Sequence, residues 1–148
     1  MPAANARVEE NKMLVYCVSL LLLALLAAED IREKKISAGI IMAFALGAVL
    51  YQMVLGCFFW REAMISLLPG CMLILVSFLT KESIGYGDGA LVMTLGLWTG
   101  GRFALGVMLI GIMLSGVYGL CCLLKRRRDP IPFVPFLLLG MEVMLIYV

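Results

Sequence analysis

Six apolar runs follow one another along a chain of 148 residues, with only short polar breaks between them. They fall at about 13–28, 36–59, 63–80, 89–101, 103–124 and 131–148. A helix needs ~20 predominantly apolar residues to cross the ~30 Å hydrocarbon core of a bilayer, so six such runs consume the chain. No room remains for a separate soluble domain, and residues 1–148 are expected to form one polytopic unit. Composition agrees. Hydrophobic residues make up 64% and mean hydropathy is +1.06, against about 45–50% apolar in a soluble domain. The expected fold is an all-α membrane protein, a bundle of about six transmembrane helices.

Several functions are excluded early. The formal net charge of +2 is too small to imply nucleic-acid binding. Histidine is absent, which removes the usual zinc-protease and serine-triad chemistries. The five cysteines, Cys17, Cys57, Cys71, Cys121 and Cys122, lie in or at the ends of apolar runs without C-x-x-C spacing. They read as small apolar packing residues and not as ligands or disulfide partners. Neither a metal nor a cofactor is expected. Residues 1–12 are polar and lack the apolar stretch and cleavage site of a secretory signal, so the first run is expected to remain as a span.

Charge sets the orientation. The loops after the first, third and fifth runs hold eight basic residues: Arg32, Lys34, Lys35, Lys81, Lys125, Arg126, Arg127 and Arg128. The even loops hold two, Arg61 and Arg102. Positive-inside bias places the odd loops in the cytoplasm and both termini outside. Asp30 lies in the first loop and Asp88 at the end of the third. The charge rule alone therefore puts both aspartates on one side of the membrane.

Carboxylates near the hydrocarbon layer are costly and usually functional. Asp88 lies within the glycine-rich sequence Ile84, Gly85, Tyr86, Gly87, Asp88, Gly89. The run after it, 89–101, makes only ~20 Å of helix at ~1.5 Å per residue. Either Arg102 snorkels outward or the 85–89 segment sits below the membrane surface. The second option lowers Asp88 into a partly dry site, where glycines at 85, 87 and 89 permit unusual backbone angles and close approach. Two carboxyl groups close together share one proton, because like charges push one pKa up. That state suits peptide hydrolysis: the carboxylate takes a proton from water and the acid protonates the scissile carbonyl oxygen. Asp30 and Asp88 fit this role if the first and fourth spans are neighbours. Taken singly, Asp30 reads more readily as part of a solvated mixed-charge loop, and Asp88 as the cap of the fourth helix. Glu142, inside the last apolar run, is expected toward the outer half, away from both. Small residues at four-residue spacing, Gly39, Ala43 and Gly47, then Gly111, Ser115 and Gly119, read as packing faces within the bundle or as a homodimer face.

The combination resembles a known family. Gly85, Tyr86, Gly87 and Asp88 match the GxGD signature of the membrane aspartyl proteases. Asp30, Ile31 and Arg32, followed by Lys35 and Ile36, resemble the first motif of the type IV prepilin peptidases. Pro132, Phe133, Val134, Pro135, Phe136 and Leu137, with Gly140, resemble their closing P-F-x-P-F-L motif. The resemblance implies a multi-pass enzyme of the bacterial or archaeal cell membrane, with its active site near the cytoplasmic face. It would clip the short basic leader from prepilins or pilin-like proteins after a glycine. Asp30 and Asp88 would be the catalytic pair, Gly85 and Gly87 would shape the second aspartate's loop, and Pro132 and Pro135 the start of the sixth span. The partners implied are a prepilin substrate and the bilayer. Ser37 and Ala38 stand where the family usually has Pro-Asn, and Gly89 and Ala90 where many members carry a lysine. The cytoplasmic methyltransferase region of the long members has no counterpart, so cleavage without N-methylation is expected, as in the compact peptidases of tight-adherence pili. The alternative is a non-catalytic membrane assembly component or a small transporter-like bundle.

Overall fold

The computed structural model describes residues 2–33, 38–54, 60–79, 85–125 and 132–147, with the backbone alone for 2–10, 33 and 62. Among the described residues there are six helices: α1 (Pro2–Glu33), α2 (Ala38–Val54), α3 (Trp60–Leu79), α4 (Tyr86–Thr99), α5 (Gly101–Leu124) and α6 (Val134–Ile146). They match the six apolar runs in number and order. Two stretches, Asn11–Arg32 and Gly101–Leu124, are long and apolar enough to cross a membrane. Ala38–Val54, Ala63–Leu79 and Val134–Ile146 are apolar but shorter.

Several helix ends differ from expectation, α1 starting at Pro2 ahead of 13 and α2 ending at Val54 short of 59 among them, and three others bear on the site. The first span was expected to close at residue 28, yet α1 continues to Glu33. Glu29, Asp30, Ile31 and Arg32 contain no helix breaker, and Arg32 in the last turn suits the helix dipole. Asp30 is therefore helical and not in a loop. α4 starts at Tyr86, ahead of the expected 89, so Asp88 lies inside its first turn. α6 starts at Val134 and spans 13 residues, because Pro132 and Pro135 confine its start. Pro135 is tolerated there since the first-turn N–H groups have no helical acceptor.

α4 is the centre of the bundle and packs on α1, α2, α3 and α5. Leu91, Val92 and Leu95 from α4 meet a fully buried core of Leu22, Leu23 and Leu26 from α1, Ala104 and Val107 from α5, and Leu137 and Met141 from α6. The contact of α3 with α4 is the most extensive of all, and glycine makes it possible. A Cβ on Gly70 would stand 2.5 Å from the Gly89 carbonyl oxygen and 2.6 Å from the Met93 nitrogen. The two backbones approach as closely as only small residues allow. Pro69, one residue earlier, cannot donate to the Ile65 carbonyl, and Gly101 packs against that same carbonyl.

α2 is held to α4 by polar contacts. Trp98 Nε1 donates to the Phe44 carbonyl at 3.1 Å, Gln52 donates to the Leu97 carbonyl, and the rings of Tyr51 and Trp98 lie 5.5 Å apart. Of the small residues noted in the sequence, Gly47 faces Trp98, and Gly111 faces Leu137 and the Phe136 carbonyl. Both serve packing within the bundle.

One residue joins α4 to α5. Gly100 ends one helix and begins the other with φ 90°, ψ 151°; its N–H donates to Gly96 O at 2.8 Å and its carbonyl accepts from Ala104 N at 3.1 Å. A side chain is disfavoured at that φ. Gly100→Ala is expected to lower stability by about 1–3 kcal/mol, seen as a lower melting temperature in detergent, although no atom lies within 4 Å of the new Cβ.

Candidate active site

Asp30 and Asp88 come together at one end of the bundle. Asp30 lies in the last turn of α1 and Asp88 is the third residue of α4. Each is 7% exposed. α1 and α4 pack against one another, and the two carboxyl groups are close enough for the charge on one to act on the other. The neighbour relation that the sequence required but could not supply is present.

Each carboxyl is held by the start of a helix. The Val134 N–H, the first of α6, donates to Asp30 Oδ2 at 3.1 Å in a buried bond. The first turn of a helix leaves its N–H groups without helical partners, and the residue at the α6 cap, Phe133, supplies no side-chain bond. Asp30 does so from another helix. The closing Pro-Phe-Val-Pro motif thus has a local physical reading. It starts a helix against Asp30, and Pro135 removes one of the N–H groups that would otherwise need an acceptor.

Asp88 is not the cap of α4; Gly85 is, with φ −66° and ψ 137°. Asp88 N donates to Gly85 O at 3.1 Å, and the Asp88 carboxyl reaches back to accept from the Gly85 backbone, the reciprocal half of a capping box. The expected unusual backbone angle is absent at Gly85, since φ −66° is open to any residue. A Cβ there would lie 3.4 Å from Asp88 Oδ2, in ordinary van der Waals contact. Gly87 is half-buried beside Asp88. Gly89 packs on Gly70 and Ile74 of α3 and so fixes how deep Asp88 sits.

Glu142 is exposed on α6, eight residues beyond Val134, or ~12 Å along the helix axis. It takes no part at the aspartate end. The opposite end carries a cleft lined by Tyr16, Arg61, Thr99, Arg102 and Met144. Ile36, Ser37, Lys34, Lys35, Cys57, Lys81, Glu82, Ile84, Arg126, Arg127 and Arg128 lie outside the described residues. Among the described residues no three His, Cys, Asp or Glu side chains gather as a metal site. Two participants were missed in the sequence: the Val134 N–H and the Gly70–Gly89 contact. A proline at the second position of α6 and a glycine following Pro69 were the available signals.

Comparison with known proteins gives a consistent result. Residues 17–120 match the profile of the type IV leader peptidase family. A prepilin leader peptidase/N-methyltransferase of Xanthomonas campestris pv. campestris is 40% identical over 60 residues, covering 38% of this chain and 21% of that protein. One from Burkholderia pseudomallei is 33% identical over 101 residues, covering 66% of this chain and 28% of that protein. One from Aeromonas salmonicida is 37% identical over 60 residues, covering 38% of this chain and 21% of that protein. The matched segments thus span about a fifth to about a quarter of the length of these relatives. No solved structure gives a significant match.

Proposed function

Since the chain belongs to the type IV leader peptidase family, we propose that it is an aspartyl endopeptidase of the cell membrane that removes the short basic leader of prepilin-like precursors. Asp30 and Asp88 are its catalytic pair. The observation that carries this reading is the meeting of two buried carboxyls from α1 and α4 at one end of an apolar bundle. One carboxylate takes a proton from water, which attacks the scissile carbonyl carbon, while the partner acid protonates the carbonyl oxygen. The same pair then returns a proton to the leaving amine as the C–N bond breaks. Gly85 and Gly87 leave room beside Asp88 for the substrate backbone.

In the membrane the six helices run as six spans with both termini outside, and the aspartate end faces the cytoplasm. Eight basic residues in the odd loops support this orientation. α4 and α6 have 14 and 13 residues, or ~20 Å each, short of a ~30 Å hydrocarbon core. Their shared shortfall at the aspartate end sets the site below the membrane surface, where cytoplasmic water reaches it.

The test is co-expression with a prepilin from the same genome, following the leader's loss by mass. Cleavage is expected, and it is expected to stop when the glycine before the cut in the substrate becomes leucine. Continued cleavage of that substrate would assign the enzyme to a different class of intramembrane protease.

A further inference from the structure

The end of the bundle away from the aspartates carries a cleft of about 620 Å³. Two arginines line it: Arg61, the second residue of α3, and Arg102, the second residue of α5. Glycine brings the two helix starts together. Gly101 lies against the Ile65 carbonyl and Ser66, and Ile65 is one turn into α3 from Arg61. Each arginine thus stands in the first turn of its helix, where the macrodipole already favours negative charge. Among the described residues no carboxylate lines the cleft. Glu142 is two residues before Met144, which does line it, and so lies on another side of α6. Positive charge is gathered at one place, and no described acidic side chain in the cleft balances it.

We propose that this cleft binds one phosphate anion, carried on a membrane lipid or free. A guanidinium is planar and pairs with two oxygens of one anion at once. A single fork satisfies a carboxylate; two forks from different helices call for the further oxygens of a phosphate. The α5 cap, Gly100, supplies no side-chain bond, and the Gly101, Arg102 and Phe103 N–H groups have no helical acceptor, which adds donors on the same side. Arg61 and Arg102 are both exposed, so an anion reaches them without any change of fold. The apolar surroundings favour the lipid form. Ile65, Phe103 and Met144 also line the cleft, and Leu68 and Leu105, one turn beyond Ile65 and Arg102, are 53% and 38% exposed, an apolar surface for acyl chains. The site does not rest on the peptidase reading. Only its leaflet does, since the orientation proposed above puts this end outside.

The test uses the full chain in dodecyl maltoside, with tryptophan fluorescence as the readout. The two tryptophans, Trp60 and Trp98, immediately precede Arg61 and Thr99, which both line the cleft, so the signal reports this end of the bundle. Short-chain phosphatidylglycerol is titrated, and beside it short-chain phosphatidylcholine and inorganic phosphate. The expected result is a saturable change with phosphatidylglycerol and none with phosphatidylcholine, whose choline masks the phosphate charge. Arg61→Gln and Arg102→Gln are each expected to weaken binding about tenfold, as for a lost hydrogen bond to a charged group. Lys125→Gln, exposed at the other end of α5, is expected to leave it unchanged. Saturation by inorganic phosphate with the same dependence on both arginines would assign the free anion; silence toward phosphate assigns the lipid. Wild-type affinity in either arginine variant, an equal response to phosphatidylcholine, or no saturable response to either phosphate probe would overturn the proposal. Because both arginines are exposed, the variants are expected to melt as the wild type does in detergent alone. A second measurement needs no variant: raised salt screens exposed charges and is expected to weaken phosphatidylglycerol binding, while binding indifferent to salt would count against the cleft.

Discussion

Asp88→Asn is expected to reduce leader cleavage by about 10²–10⁴-fold, and Asp30→Asn to do the same, the range for removing a general acid or base. Asparagine keeps the shape of the side chain but neither ionises nor delivers an acidic proton. The comparison at position 30 separates chemistry from architecture. In Asp30→Asn the amide oxygen still accepts from the Val134 N–H, so α6 keeps its anchor and the melting temperature is expected near wild type. In Asp30→Ala the anchor is lost as well, and stability should fall by about 1 kcal/mol, as for other lost caps. The measurement is leader mass loss at matched membrane levels, with thermal unfolding in detergent beside it. If either asparagine variant cleaves at the wild-type rate, the paired-carboxyl mechanism is wrong, and a non-catalytic role for the bundle becomes the better reading.

Gly70→Ala is expected to be a damaging small change away from the carboxyls. Helix propensity alone would favour alanine by about 1 kcal/mol. The new Cβ, however, would stand 2.5 Å and 2.6 Å from backbone atoms of Gly89 and Met93. Backbone cannot rotate away as a side-chain tip can. Overpacking costs typically about 1–3 kcal/mol, so destabilisation is expected to win. α4 must then move away from α3, and Asp88 moves with it, because Gly89 is its neighbour. A shift of about 1 Å at a catalytic group costs about 10²-fold. The expected outcome is a lower melting temperature together with a fall in kcat of that order. A stable variant with full activity would show that α3 does not set the position of Asp88. Gly116 is the control, since nothing lies within 4 Å of a Cβ built there; Gly116→Ala should leave kcat unchanged and raise stability by up to about 1 kcal/mol.

Much of this protein could be read before any coordinates. The number and order of helices follow from runs of apolar residues, because an apolar stretch has few ways to satisfy its backbone groups away from water. The two aspartates stand out for a related reason: a carboxylate at the edge of lipid is expensive, so its presence asks for an explanation. The helix ends were less legible. Residues 29–33 look like a loop by charge, yet they continue α1, since charge does not break a helix in the way that proline does. Tyr86 to Asp88 look like a glycine loop, yet they form the first turn of α4, because the neighbours that bury that turn are distant in sequence.

The sequence by itself determined six helices, their order and the two aspartates proposed to carry the chemistry, since these follow from local composition. Tertiary structure alone decided that α4 lies at the centre, that the two carboxyls come within range of one another's charge, and that Asp30 receives the Val134 N–H. It also decided that the starts of α3 and α5 come together and bring Arg61 and Arg102 to one cleft. Those facts depend on how far two backbones approach, as at Gly70 and Gly89 or at Gly101 and Ile65. Such distances belong to pairs of segments and are written in neither segment alone.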